Sequence, residues 1–296
     1  MKNNSLRKYS IVNEFQYMIL LIPAMVVFTV GMIIPTLIGI YYSMTDWDGL
    51  AQVKKFIGFS NYINIFKDGR FYASLKFTVL FTIFNTIVQN IFALLFAIAL
   101  DSSIKAKKFF RTIIFTPALL SPILCGFIWS RLYSEVLPAL NDILKTNINF
   151  NLFGSPDTVL MGLVITNNWQ WIGYWMLIYL AALQSIPKEL YEASTVDGAR
   201  GYHKFLHVTL PLIAPAITVC IIGITTGSLK VYDLILSATG GGPGHTSESI
   251  VMYIYKSAFS AQRSAYASAL SVILLIGLLL IAVIQLKVLR EREVQL

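Results

Sequence analysis

Charged side chains are scarce in this chain: 13% of its 296 residues are Asp, Glu, Lys or Arg, about half the share usual in a soluble domain. With 56% apolar residues and a mean hydropathy of +0.68, it cannot clothe a soluble surface and reads as an integral membrane protein. Cysteine is limited to Cys125 and Cys220, both inside apolar runs. That excludes a disulfide framework, and the two read as small buried hydrophobes. No Cys/His cluster has zinc-ligand spacing; His203 and His207, four apart, lack further ligands and read as surface residues. No G-x-x-x-x-G-K-[ST] phosphate loop occurs. The glycine run Gly240 to Gly244 is followed by His245 and Thr246, without a lysine, and reads as a tight turn. No Ser/His/Asp or Cys/His arrangement stands out, so the chain is expected to be no enzyme and to need no cofactor. The formal charge of +8 comes without a basic stripe interleaved with aromatics, which argues against nucleic acid as a partner.

What is present is a series of long apolar runs. Six spans are expected, at about 15–42, 75–100, 112–132, 159–183, 212–236 and 267–288, each near the roughly 20 residues a bilayer requires. Lys105, Lys107, Lys108 and Arg111 crowd one short loop, Lys188, Arg200 and Lys204 another, and Lys287, Arg290 and Arg292 end the chain; such residues mark the cytoplasmic side. Both termini are then inside, with residues 1–14 a cytoplasmic segment and 15–296 a single membrane domain. Lys2, Arg7 and Lys8 precede a first run too long for a signal peptide and without a small-x-small cleavage site. Pro23 and Pro35 fall in the first span, Pro117 and Pro122 near the start of the third. On this topology 46–71, 133–157 and 237–263 lie outside, and Phe56 to Tyr62, FIGFSNY, reads as an interfacial helix held by its aromatics.

The most hydrophilic central run is Ser185 to Pro211. Ser185 is a candidate cap, Pro187 suits a first helical turn, and Glu189 adds favourable negative charge there. Gly198 and Gly201 allow a break. A helix, a glycine turn and a second helical piece are expected over 185–211, with Asp197 capping the second piece. Within it stand Glu192-Ala193-Ser194, three residues, Gly198, nine residues, then Val208-Thr209-Leu210-Pro211. This resembles the EAA loop of ABC import permeases, written E-A-A, three residues, G, nine residues, I-x-L-P. FIGFSNY, RTIIFTPALLSP and GGGPGHTSESIVMYIY are similar to segments of the sugar branch of that family. The resemblance implies an all-α membrane protein with the six-helix ABC type I (MetI-like) permease fold and a cytoplasmic coupling helix. It makes Glu192, Ala193, Ser194, Asp197, Gly198 and Ala199 the contact with an ATPase. It implies a second homologous permease, two copies of a cytoplasmic ATPase, an external solute-binding protein and surrounding lipid, in the cell membrane of a prokaryote. The cargo implied is a sugar or oligosaccharide; the alternative is a non-sugar such as a glycerol phosphate or peptide. A self-sufficient secondary transporter would carry inverted repeats, and none is evident.

Lys230 and Asp233 stand inside the fifth expected span, where a charge costs about 2.5–3.5 kcal/mol on insertion scales. Three apart, they either pair on one helix face or face a watery cavity and bond a polar solute. The fourth span carries NNWQWIGYW from Asn167 to Trp175. Its rings could stack on sugar faces and its amides bond hydroxyls, or its aromatics could form an interfacial belt. Asn85, Gln89 and Asn90 serve equally as interhelical partners. Resemblance to maltose-type permeases makes Ser228, Lys230, Val231 and Tyr232 solute contacts, although that family usually has asparagines where Ser228 and Lys230 stand. The W-x-G-Y pattern of Trp171 to Tyr174 likewise points to Trp169, Ile172, Gly173 and Met176, on one helical face.

Overall fold

The structure, a computed structural model, describes residues 21–102, 105–144 and 150–291. Residues 1–14 with their basic side chains, the expected start of the first span at 15–20, and Arg292 lie outside these. The described residues are helical but for turns, loops and one antiparallel bridge between Thr45 and Phe56. They form two compact units, Met1–Lys67 with Lys256–Ile273, and Asp68–Tyr255 with Leu274–Leu296.

In the first unit, α1 (Leu21–Tyr42) is apolar throughout. A π turn at Thr29–Ile33 interrupts it, just ahead of Pro35, which has no N–H for the regular ladder. Beyond it, Asn61 Nδ2 donates to the carbonyls of Ser43 (2.9 Å) and Thr45 (2.8 Å). The helix expected over FIGFSNY starts late, as α2 (Ser60–Ile65). Phe56 is extended against Thr45, and Gly58 turns the chain at φ +60°.

The second unit is built on two long helices, α3 (Gly69–Asp101) and α7 (Val159–Gln184), packed along their length. α3 starts earlier than the expected 75 because Asp68 caps it, accepting the Arg70 N–H at 2.9 Å. Two apolar cores lie along the pair. Phe77 and Phe81 meet Leu163, Ile235 and Met252 in one; Ala93 and Ala97 meet Met176, Tyr179 and Ile224 in the other. Cys125 and Cys220 are fully buried, one in each.

The third expected span is not one helix from 112. α4 (Lys107–Phe115) passes into a 3-10 turn at Thr116–Leu119, and α5 (Pro122–Arg131) begins afresh. Pro117 and Pro122 each remove a donor, and Pro122 holds its predecessor Ser121 extended at ψ 139°. The Leu120 carbonyl there accepts from Gln170 Nε2 at 2.9 Å. The helix then runs on through a π turn (Leu132–Val136) into α6 (Leu137–Leu144), so the connection expected from 133 is helical in its first part.

The fifth expected span, 212–236, is also divided. After α8 (Lys188–Val196) come α9 (Gly201–Lys204), a π turn, α10 (Leu210–Leu212) and α11 (Ala214–Leu229). Gly201–Leu212 and Ala214–Leu229 meet at 68°, because Pro215 has no N–H for the Pro211 carbonyl. α11 ends at Leu229, and α12 (Asp233–Ala238) starts after a gap; α13 (Ile250–Tyr255) and α14 (Ser264–Arg290) follow. Among the described residues four helices can cross a membrane by length and composition, or five if the bent pair counts as one. The expected six are not confirmed. α7 has 26 residues, enough length, but the amides from Asn167 to Gln170 dilute its middle.

Candidate functional site at the broken helix

A cavity of about 480 Å³ opens at the level between the two cores. α3 contributes Asn85 and Gln89, α7 contributes Asn167, Trp171, Tyr174 and Trp175, and α11 contributes Gly223, Gly227 and Ser228. The break between α11 and α12 supplies Lys230, Val231 and Tyr232, and Asp233 opens α12 on the same wall.

The polar floor is cross-linked. Asn168 Nδ2 donates to Asn85 Oδ1 at 2.8 Å, and Asn85 Nδ2 donates to Ser228 Oγ at 2.7 Å. Gln89 Nε2 reaches the Asn167 carbonyl at 3.4 Å. Asn85 and Gln89 therefore both join helices and face the cavity. Asn90 turns away, accepting the Tyr179 hydroxyl at 2.6 Å. On α7 three rings meet edge to face: Trp171 with Tyr174 at 6.1 Å, and Tyr174 with Trp175 at 5.0 Å.

Lys230 and Asp233 both line this cavity and both are exposed. No ion pair joins them; among the described residues ion pairs link Arg70 and His245 with Glu248, and Arg131 with Glu135. The shared helix face that a continuous span would give them is lost, because Lys230 follows the end of α11 and Asp233 starts α12. All five candidates from this stretch, Ser228, Lys230, Val231, Tyr232 and Asp233, come together on the wall.

The α7 candidates divide differently. Trp169, Ile172, Gly173 and Met176 are not on the cavity wall. Trp169 meets Trp129 edge to face at 5.5 Å. Met176 is fully buried in a core. A Cβ on Gly173 would lie 2.1 Å from the Ile114 carbonyl oxygen. The adjacent face, Asn167, Trp171, Tyr174 and Trp175, takes the wall. Both faces have helical spacing. What separates them is that Gly173 and Met176 are the small and apolar members, suited to close packing.

The hydrophilic loop folds as helix, glycine turn, helix. Asp197 closes α8; the Gly198 N–H bonds to the Thr195 carbonyl (3.0 Å) and the Ala199 N–H to the Ser194 carbonyl (2.9 Å). This is a Schellman turn, with Gly198 at φ +76° in its left-handed position. Three local expectations are corrected here. Ser185 ends α7, its hydroxyl donating to the Ala182 carbonyl, so it does not cap α8. Pro187 is the residue before the first turn, not in it. Asp197 does not cap α9, whose cap position holds Arg200. Lys204 Nζ donates to Thr195 Oγ1 at 2.6 Å, tying the two pieces together. Glu192, Ala193, Asp197 and Gly198 are exposed, and Ser194 and Ala199 half-buried. Val196, 88% exposed, offers an apolar contact at the tip.

Comparison with known proteins accords with this layout. Residues 12–292 match the family described as the binding-protein-dependent transport system inner membrane component. The probable starch degradation products transport system permease protein AmyD of Thermoanaerobacterium thermosulfurigenes is 37% identical over 284 residues, 96% of this chain and 97% of that one. The multiple sugar-binding transport system permease protein MsmF of Streptococcus mutans is 30% identical over 285 residues, 96% of this chain and 98% of that one. A chain in the crystal structure of a bacterial ABC transporter involved in import of the acidic polysaccharide alginate shares the fold. Its TM-score is 0.82 at 21% identity, over 96% of this chain and 98% of that one. An all-helical membrane chain with a glycine-turn loop and a polar cavity at a broken helix, matched over nearly its whole length, belongs to the family of inner-membrane permeases of binding-protein-dependent ABC importers.

Proposed function

We propose that this permease passes a neutral, hydroxyl-rich solute, a sugar or oligosaccharide, through the cavity beside the broken helix. The observation that carries the reading is the exposed Lys230 and Asp233, unpaired with each other, on one wall with Trp171, Tyr174 and Trp175. An ammonium donates to hydroxyls, a carboxylate accepts from them, and ring faces cover the apolar side of a sugar. Opposite charges in one cavity disfavour a solute of either sign. The names of AmyD and MsmF support a sugar or oligosaccharide. Uptake of maltotriose by the reconstituted importer is the test. Lys230→Met and Asp233→Asn are each expected to slow it about tenfold or more, the scale of a lost hydrogen bond to a charged group. Unchanged uptake in both would overturn the reading. Lys230 alone favours a second reading, an anion such as a glycerol phosphate. That reading requires glycerol phosphate uptake to be lost in Lys230→Met and improved in Asp233→Asn.

The family makes the chain a multi-pass permease and not an enzyme, so the energy comes from elsewhere. In our reading residues 15–296 act as one permease domain with both termini cytoplasmic. It pairs with a second homologous permease, two cytoplasmic ATPase subunits and an external solute-binding protein. Glu192, Ala193, Ser194, Asp197, Gly198 and Ala199 form the face that meets the ATPase, with the Schellman turn setting the angle between the loop's two helices. Valine at 198 would carry a left-handed backbone penalty of about 1–2 kcal/mol. Gly198→Val is expected to leave the protein in the membrane while co-purified ATPase falls about tenfold, a factor equivalent to that penalty. Gly198→Asn, which tolerates the conformation, should retain most of it. Full retention by the valine variant would count against this role.

A further inference from the structure

Ser249 lies off the cavity wall and is fully buried. Its Oγ donates to the Val231 carbonyl at 2.7 Å. Val231 belongs to neither α11 nor α12, and it lines the cavity between Lys230 and Tyr232. The residues on each side of Ser249 are held by α3. Glu248 takes a two-pronged bond from Arg70, Nε at 2.7 Å and Nη2 at 2.8 Å. The Ile250 N–H donates to Thr78 Oγ1 at 2.9 Å. Ser249 Oγ itself accepts the Met252 N–H at 3.2 Å, which fixes the direction of its own proton. On the other flank of the break α3 acts directly, through Asn85 and Ser228. One helix thus grips both ends of a stretch where the regular ladder gives way to two tighter bonds, Lys230 N–H to the Gly227 carbonyl and Val231 N–H to the Ser228 carbonyl, both at 3.2 Å.

We infer that Ser249 is a positioning residue for solute passage: through the Val231 carbonyl it fixes the Lys230–Tyr232 wall to α3, and with it the reach of Lys230 and Tyr232 into the cavity. A chain that leaves a helix for three residues exposes carbonyls that must be met. Met by water, they would let the wall wander. Met by a buried hydroxyl clamped at both neighbours, they define one geometry. The consequence for solute rests on the cavity reading above; the consequence for the wall does not.

The test separates the two. Gly227 lines the cavity, is exposed, and an added Cβ there meets nothing within 4 Å. Gly227→Cys therefore places a reporter thiol, while Cys125 and Cys220 stay silent in the cores. The assembled importer is labelled with a water-soluble maleimide, and the permease chain is read by intact mass. Without solute, Ser249→Ala is expected to change the labelling rate about threefold to tenfold, the factor that one hydrogen bond's net contribution implies. Ser249→Thr, which keeps the hydroxyl, should return it to within about twofold. Arg70→Lys, which keeps the charge but loses the fork, should move it in the same direction as Ser249→Ala and guards against a misfolded alanine variant. Equal solute-free rates in the parent, Ser249→Ala and Arg70→Lys overturn the inference. Maltotriose protection of the same thiol reports on the cavity separately. If maltotriose protects and Lys230→Met abolishes that protection, the cavity holds solute. Ser249→Ala must then raise the half-protecting concentration, and an unchanged value also overturns the inference. If maltotriose gives no protection while Ser249→Ala still alters the rate, the cavity reading falls and the positioning of the wall stands.

Discussion

Gly173→Val is expected to deplete the membrane of folded permease and not merely to weaken transport. The position reads from the sequence as a solute contact, but in the fold it is where α7 crosses the end of α4. A Cβ would sit 2.1 Å from the Ile114 carbonyl oxygen and 2.6 Å from Phe115 Cα. Both are backbone atoms, so no side chain can swing away. Overpacking costs about 1–3 kcal/mol where side chains can yield, and here the helices themselves must part, so the top of that range is the expected minimum. The check is the thermal midpoint and monodispersity of the detergent-purified chain, with Gly173→Ala alongside. Even alanine should lower the midpoint clearly. By contrast Gly223, whose added Cβ would meet the Trp175 ring first, should accept alanine in the fold and show its effect on solute. A normal midpoint with altered solute preference in Gly173→Ala would return that position to the cavity.

Arg70→Leu is expected to cost more than Glu248→Leu, although either change breaks the same two-pronged bond. The Glu248 side chain is 1% exposed and the Arg70 side chain 39%. Removing the arginine takes the two-pronged bond from a buried carboxylate, with His245 Nδ1 3.8 Å away. Breaking a buried pair in this way costs about 3–5 kcal/mol. Removing the glutamate leaves a guanidinium that can turn to solvent, so the loss should be well under that. The double replacement by leucine should recover most of the arginine variant's loss, as it removes the buried charge. A double-mutant cycle on unfolding midpoints measures all three. Equal single losses, or a double variant as poor as Arg70→Leu, would show that the pair is not the buried anchor its exposures imply.

Gly198 was legible because its reason is local: a left-handed turn between two helices requires a residue without a Cβ, and the turn's bonds span only a few residues. The cavity stretch Ser228 to Asp233 was legible by type, since charges inside an apolar run need an explanation. Its geometry was not. Neither proline nor glycine stands at 230–232, and the break is stabilised by Ser249, 18 residues away, and by Asn85, 143 away. Pro117 and Pro122 were visible near the start of an expected third span, yet the helix is broken there and begins afresh at Pro122. On α7 two adjacent faces satisfy the same periodicity. Choosing between them needs the path of the chain at Ile114, a contact made by another helix.

The amides in the middle of α7 have a bearing on how the chain is built. Asn168 donates to α3 as well as to the Val164 carbonyl of its own helix, and Gln170 donates to the turn before α5; alone in hydrocarbon, α7 would lack both bonds to its neighbours. During synthesis the earlier helices emerge first and can receive α7 as it leaves the ribosome. Its settling in the bilayer is therefore a docking onto neighbours already in place, and the order of the segments along the gene becomes part of the folding instruction.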